Sequence, residues 1–107
     1  MIPAIGLRVE FHTSKKSMAY SCDTAPCDEV VRLAGGVDVL IHEAAGDLFG
    51  HSSAGRAGEI ARQAEAGSLY LIHYPTGRYA TGDPVAEARD RYKGQITLAE
   101  DFMKIDF

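Results

Sequence analysis

Two short apolar runs, VDVLI at residues 37–41 and SLYLI at residues 68–72, restrict the possible folds of this 107-residue chain more than any other feature. Each run has the length and the bulky aliphatic content of a strand that is buried on both faces of a sheet. The segment before each run has apolar residues at helical spacing and ends at glycine, at Gly35 and Gly36 or at Gly67. Strands that alternate with helices predict an α/β sheet that is partly parallel.

The chain on either side of these runs extends the same order. Residues 7–11 alternate apolar and polar side chains, a polar turn follows, and residues 18–21 begin another strand, which predicts a hairpin. Asp83 and Pro84 predict the start of a helix, and residues 96–99 predict a strand after it. A last strand is predicted from three alternating apolar residues, Met103, Ile105 and Phe107.

The predicted order is therefore ββαβαβαββ within a single domain, residues 1–107. Pro26 marks the start of the first helix, and Ser52 or Ser53 can cap the second. Right-handed crossovers would place the three helices mainly on one face of a mixed sheet. The other face would stay apolar and need a cover, so the predicted architecture is half of an αββα sandwich.

Charge and cysteine content argue against several classes of protein. The formal net charge of −4 gives no basic footprint for nucleic-acid binding through bulk electrostatics. No apolar run approaches the roughly 20 residues of a membrane span, and the first residues lack the pattern of a secretory signal. Cys22 and Cys27 lack Cys-x-x-Cys spacing, so neither a redox motif nor a zinc knuckle is indicated. We expect a cytoplasmic protein with reduced thiols.

Polar side chains collect where successive predicted strands end. Asp23 follows the second strand, His42 and Glu43 follow the third, His73 follows the fourth, and His51 lies in a loop before a helix. The carboxyl ends of parallel strands meet at one edge of a sheet, where α/β proteins bind ligands. Each residue also has a structural interpretation, as a helix cap for the aspartate or as a hydrogen-bonded strand-end residue for the others.

Aspartate and histidine on neighbouring strands suit a metal such as zinc. A carboxylate can bridge two ions, because each oxygen can serve one of them, and two ions about 3.5–4 Å apart can hold a hydroxide nucleophile. Glu43 could orient a histidine ligand. A thiol site at Cys22 or Cys27 is a weaker alternative, because no base is evident nearby.

Five stretches, in their order along the chain, resemble motifs of the metallo-β-lactamase-fold hydrolases, and among these the ribonuclease Z-like branch. They are GLRVE at 6–10, SCDT at 21–24, HEAA at 42–45, HSS at 51–53 and LIHY at 71–74. The closing LAED at 98–101 is also similar. The likeness covers nearly the whole chain and identifies it as the C-terminal half of such a fold.

The resemblance implies a role for each strand-end residue except His42. Asp23 would be the carboxylate that bridges two zinc ions, and His73 would be a ligand of the second ion. His51 would assist proton transfer at the scissile phosphate, with Glu43 supporting it.

The chain also departs from the family pattern. Cys22 stands in place of a glycine, and Ala45 and Ser53 each stand in place of a threonine. The family's first metal motif, His-x-His-x-Asp-His, does not occur in these residues. A catalytic zinc usually has three protein ligands, whereas Asp23 and His73 supply two. We therefore expect an incomplete centre that is inactive in this chain alone.

Two functions remain open at this point. In the first, the chain is part of a metal-dependent phosphodiesterase that acts on RNA or a small phosphodiester, completed by an N-terminal half or a second copy of the chain. In the second, it is a non-catalytic half-domain that self-associates through the uncovered sheet face as an interaction or structural protein. In both cases we expect no membrane partner, and a homo-oligomer if the chain is isolated.

Overall fold

The computed structural model describes residues 6–21, 28–46, 52–76 and 82–106. Among the residues singled out above, six lie outside these ranges, so their placement stays a prediction: Cys22, Asp23, Pro26, Cys27, His51 and Phe107. The described elements, in chain order, are β1 (Leu7–Phe11), β2 (Lys16–Tyr20), α1 (Asp28–Leu33), β3 (Val39–Glu43), α2 (Ala54–Ala64), β4 (Ser68–Ile72), α3 (Pro84–Arg89) and β5 (Gln95–Leu98).

The described strands form one mixed sheet in the order β1-β2-β3-β4-β5. β1 and β2 are the predicted antiparallel hairpin, and each later strand runs parallel to the one before it. Each pair of parallel neighbours is joined through a helix, which is the connection that parallel pairing requires. The α/β class and the mixed sheet predicted from the sequence are confirmed.

The core lies between the sheet and its helices. Ala19, Leu40 and Leu69 are partners across three adjacent strands, and all three are buried. They belong to one cluster with a stripe of buried side chains on α2, namely Ala54, Ala57, Ile60, Ala61 and Ala64. Because most of these side chains are small, α2 packs closely against its neighbours.

The helix starts agree with the predicted caps. The Ser53 Oγ accepts a hydrogen bond of 3.2 Å from the Arg56 backbone N–H, and Asp83 Oδ1 accepts from two N–H groups of α3. The end of α2 differs from the prediction, because Glu65 rather than Gly67 takes the left-handed conformation there, with φ of 56°. Gly67 serves close packing instead, since a Cβ on it would lie 2.7 Å from the Asp38 carbonyl oxygen. No helix in the described ranges is long and apolar enough to cross a membrane.

The strand residues that alternate with the core positions point to the other side of the sheet, which we call the open face. On β1 this face carries Leu7, Val9 and Phe11, which are 53%, 41% and 42% exposed. The neighbouring strands continue it with half-buried apolar residues, namely Met18, Tyr20, Ile41, Tyr70 and Ile72. The described helices contribute to the core on the opposite side, as predicted.

β1 is also attached to the helical side of the sheet through a single long side chain. Arg8 points away from the open face, and its Nη1 donates to the carbonyl oxygens of Leu33 at 2.8 Å and Gly35 at 3.0 Å. These carbonyls lie at the end of α1, where a helix has unpaired acceptors and attracts positive charge.

The predicted last strand is wrong for the part of it that the structure describes. Residues 103–106 are not in a strand, although their apolar residues alternate. Their chain direction is set by a turn in which the Met103 N–H donates to the Glu100 carbonyl at 3.1 Å. Alternation predicts a strand only where a neighbouring strand is available for backbone hydrogen bonding.

Candidate functional site

The carboxyl ends of β2, β3, β4 and β5 lie side by side, and we call this side of the sheet the carboxyl edge. Glu43 is the last residue of β3, and its register partner Ile72 is the last residue of β4. His73 follows directly, and Ser21 follows β2. The predicted convergence of strand ends is therefore present for Glu43 and His73.

Glu43 is a fully buried carboxylate at this edge. One oxygen, Oε1, accepts a hydrogen bond from the backbone N–H of Ser52, and the other, Oε2, accepts from that of Ala45 at 3.3 Å. The backbone N–H of Glu43 itself donates to the Ser21 Oγ at 3.2 Å. A buried carboxylate is tolerated when its oxygens accept such bonds.

The Glu43 contacts join described residues on the two sides of residues 47–51, which include His51. Ala45 and Gly46 precede these residues, and Ser52 is the residue directly after His51. The Gly46 N–H also donates to the Ser52 carbonyl at 3.0 Å, so the two sides are joined by backbone as well as by side chain. Glu43 therefore fixes Ser52, the residue next to His51 in sequence, while the supporting role that the resemblance implied stays a prediction.

His42 points to the opposite side of the strand from Glu43, into the core, and is fully buried. Its Nδ1 lies 2.8 Å from the Glu43 carbonyl oxygen. A carbonyl can only accept, so the proton is on Nδ1 and Nε2 is left as an acceptor. Nε2 has no hydrogen-bond partner among the described residues. Burial lowers the pKa of His42, against the smaller raising effects of the Glu43 carbonyl and carboxylate, so the ring is neutral at pH 7.

His73 is exposed and has a left-handed backbone, with φ of 56°. Few residues other than glycine take this conformation, and those that do are concentrated at functional sites. The next residue, Tyr74, donates its hydroxyl to the Ala99 carbonyl at 2.7 Å. This bond connects the end of β4 to the segment that follows β5.

Sequence reasoning missed two parts of this arrangement. Ser21 and Ser52 are almost completely buried and hold the backbone and the carboxylate of Glu43. Both stand inside motifs quoted for the resemblance, SCDT and HSS, but the pattern alone did not reveal that the two serines meet one glutamate. The second part is Tyr74, whose contact with Ala99 joins residues that are 25 positions apart in sequence.

The zinc that the fold family implies was tested against these residues. No group of three or more His, Cys, Asp and Glu side chains in the described ranges could hold a metal ion. His73 is exposed at the carboxyl edge and is suitable as one ligand, whereas Asp23 lies outside those ranges. The described residues therefore do not form a zinc site by themselves.

The sheet has helices on one face and is apolar and open on the other, and a buried glutamate and an exposed histidine lie at its carboxyl edge. This arrangement is expected for part of a metallo-β-lactamase fold. Comparison with known proteins agrees. The chain belongs to the beta-lactamase superfamily domain family, whose model matches residues 1–74.

Within this family the chain is similar to ribonuclease Z. It is 45% identical over 90 residues to "Ribonuclease Z" of Sulfolobus acidocaldarius, covering 78% of this chain and 30% of that protein. It is 36% identical over 98 residues to "Ribonuclease Z" of Haloarcula marismortui, covering 83% of this chain and 32% of that protein. The chain thus spans about a third of the length of these curated relatives.

Solved structures show the same likeness. The short form of human tRNase Z matches with a TM-score of 0.72 and 30% identity, over 98% of this chain and 38% of that one. The metallo-beta-lactamase fold protein YhfI of Bacillus subtilis matches with a TM-score of 0.72 and 27% identity, over 81% of this chain and 38% of that one. The resemblance to the ribonuclease Z-like branch is confirmed.

Proposed function

We propose that this chain is part of a metal-dependent phosphodiesterase that acts on RNA. Asp23 and His73 would be its contributions to a dinuclear zinc site, with His51 assisting proton transfer at the scissile phosphate. The relatives named ribonuclease Z support the substrate class, and the position of His73 directly after β4, exposed at the carboxyl edge, supports its assignment as a ligand.

The observation that carries the proposal is the buried carboxylate of Glu43. It accepts from the backbone N–H of Ser52 and so holds the position next to His51 on the edge where His73 lies. Glutamate is almost never fully buried unless its carboxylate is paired, as it is here. A group that transfers protons gains from such support, since its geometry must be held to a fraction of an ångström.

The metal would supply Lewis-acid chemistry once the site is complete. This chain's own part is to hold the ligands and the proton-transfer residue in place. Because Asp23 and His73 are two ligands and the first metal motif, His-x-His-x-Asp-His, does not occur in these residues, we propose that further ligands come from protein outside this chain and that the chain is inactive alone. The open face would pack against that additional protein, as the uncovered face of half a sandwich requires.

A chimera tests this proposal. The matched region of Sulfolobus acidocaldarius ribonuclease Z, 30% of that protein, would be replaced by this chain. We expect metal-dependent cleavage of an RNA that the unmodified Sulfolobus enzyme cleaves in the same assay, and loss of that cleavage in Asp23→Asn and His73→Ala chimeras. His12→Ala, an exposed substitution in the hairpin turn, is the matched control. Full activity of the Asp23→Asn chimera would remove this residue from the site.

The exposed residues Leu7, Val9 and Phe11 favour a second candidate function, a self-associating half-domain without catalysis. In that case the isolated chain is dimeric or larger, and Val9→Lys returns it to a monomer. Sedimentation velocity measures both. A monodisperse, folded monomer of the unmodified chain excludes this candidate.

A further inference from the structure

The turn after β5 carries a phenylalanine with unusual exposure and conformation. Phe102 is fully exposed, at 102% of the reference value, whereas the other large exposed apolar residues range from 38% to 53%. Its φ is 63°, in the left-handed region that bulky residues rarely adopt. A ring that gains no burial and has an unfavourable backbone is not explained by packing within the described chain.

This turn lies at the carboxyl edge, beside the segment that carries His73. β5 pairs in parallel with β4, and the Ala99 N–H continues the pairing by donating to the Leu71 carbonyl at 2.9 Å. The Tyr74 hydroxyl then donates to the Ala99 carbonyl at 2.7 Å. Two bonds thus fix the start of the turn against the strand end that leads into His73.

The turn itself is closed by the bond from the Met103 N–H to the Glu100 carbonyl. Phe102 therefore lies on a turn whose position is fixed by backbone hydrogen bonds. Glu100 and Asp101 are exposed and precede it directly. Their charges repel a phosphate backbone, so a nucleic acid bound here would meet the ring through a base and not through a phosphate.

We propose that Phe102 is a stacking platform for one unpaired base of the RNA that occupies the carboxyl edge. This inference rests on the proposed function, because it takes RNA as the substrate class. Proteins that bind single strands use exposed aromatic side chains in this way, and stacking needs no particular base. An RNA base in a duplex is already stacked on both sides, so the platform selects a single-stranded segment.

The chain contains no tryptophan, which makes a direct test possible. Phe102→Trp places a single indole on the turn, which can be excited apart from the five tyrosines, and Phe11→Trp places one in a half-exposed position at the opposite edge as the matched control. Each variant would be titrated with a 2′-O-methyl dodecanucleotide, which resists cleavage. We expect quenching of the indole introduced at 102, less quenching by a duplex of the same length, and none at 11.

Alanine substitution gives the affinity. Phe102→Ala should weaken binding of the same oligonucleotide by about tenfold, and Phe102→Tyr should preserve it, since loss of base stacking costs roughly 1–3 kcal/mol. No quenching at about 1 mM oligonucleotide, a concentration that detects even weak binding, overturns the proposal. The proposal is also overturned if, without RNA, the emission of the indole introduced at position 102 shifts with protein concentration, because a second copy of the chain then covers the ring.

The two proposals fail in different ways. Quenching at position 102 with an inactive chimera leaves the stacking platform in place and rejects the hydrolase. An active chimera whose KM is unchanged by Phe102→Ala keeps the hydrolase and rejects the platform.

Discussion

Glu43→Gln should destabilise the fold through a single misplaced amide. Both oxygens of the Glu43 carboxylate accept backbone hydrogen bonds, from Ser52 and from Ala45. Glutamine has the same shape but offers one acceptor and one donor. In either orientation its NH₂ group faces a backbone N–H that loses its partner, that of the fully buried Ser52 or that of the half-buried Ala45.

The expected magnitude follows from this count. A buried donor left without a partner costs about 1–3 kcal/mol, and the facing N–H groups add to that cost. For a domain of this size each kcal/mol lowers the melting temperature by about 4–8 °C. Glu87→Gln changes the same functional group at an exposed site, and a shift within about 0.5 kcal/mol is expected there.

Urea unfolding followed by circular dichroism measures the difference. We expect a lower midpoint at an unchanged slope, which reports a change in stability and not in denatured-state compactness. Amide hydrogen exchange should also accelerate at Ser52 and Ala45. Equal midpoints for Glu43→Gln and Glu87→Gln would refute the reasoning, because the carboxylate would then not be holding the loop.

Three further predictions follow from described contacts. Gly58→Ala should lower the free energy of unfolding by about 1–3 kcal/mol, because its Cβ would lie 2.6 Å from the Ala88 carbonyl oxygen. Gly55→Ala, on the same helix, meets nothing closer than 3.9 Å and should be neutral or stabilising. Equal unfolding free energies for the two variants would contradict this. Burial lowers the pKa of His42 from 6.5, so the unfolded chain takes up this proton first, and the free energy of unfolding should fall as pH drops below about 6.5 and level out below the folded pKa. His42→Gln should remove this pH dependence, and His12→Gln should retain it. Identical pH profiles for the unmodified chain and both variants would disprove it. The purified chain should retain well under one zinc ion after dialysis, measured by atomic absorption, since Asp23 and His73 supply two ligands and a catalytic zinc usually has three; two retained ions would show that this ligand count is wrong.

The sequence predicted most of the fold because its signals are local. The runs at 37–41 and 68–72 cover most of β3 and all of β4, and Ser53 and Asp83 cap helices as their residue types predict. The failures came where the outcome depends on distant partners. Apolar and polar residues alternate over 103–106 as in a strand, but this segment is not in one. Gly67 is required because a Cβ would clash with the Asp38 carbonyl oxygen, and not because a helix ends there.

The candidate site was predictable where it depends on strand topology and not where it depends on contacts between distant residues. Strand ends of a parallel sheet meet at one edge, so Glu43 and His73 could be placed there from topology alone. The contact between Glu43 and Ser52 could not, because it joins residues nine positions apart that share no helix or strand pairing. The His42 Nε2, which lacks a partner among the described residues, also had no sequence signal, since a histidine in an apolar strand looks the same whether or not its ring nitrogens are paired.

The Arg8 contact with the end of α1 has a consequence for the order in which the chain folds. The β1–β2 hairpin is local, but Arg8 reaches carbonyls 25 and 27 residues away. Those carbonyls are presented together only after α1 has formed and ended at its turn. The hairpin can therefore pair early, on the microsecond scale of such elements, while its attachment to the helical layer waits for α1. In kinetic experiments Arg8→Ala should accelerate unfolding and leave the folding rate nearly unchanged.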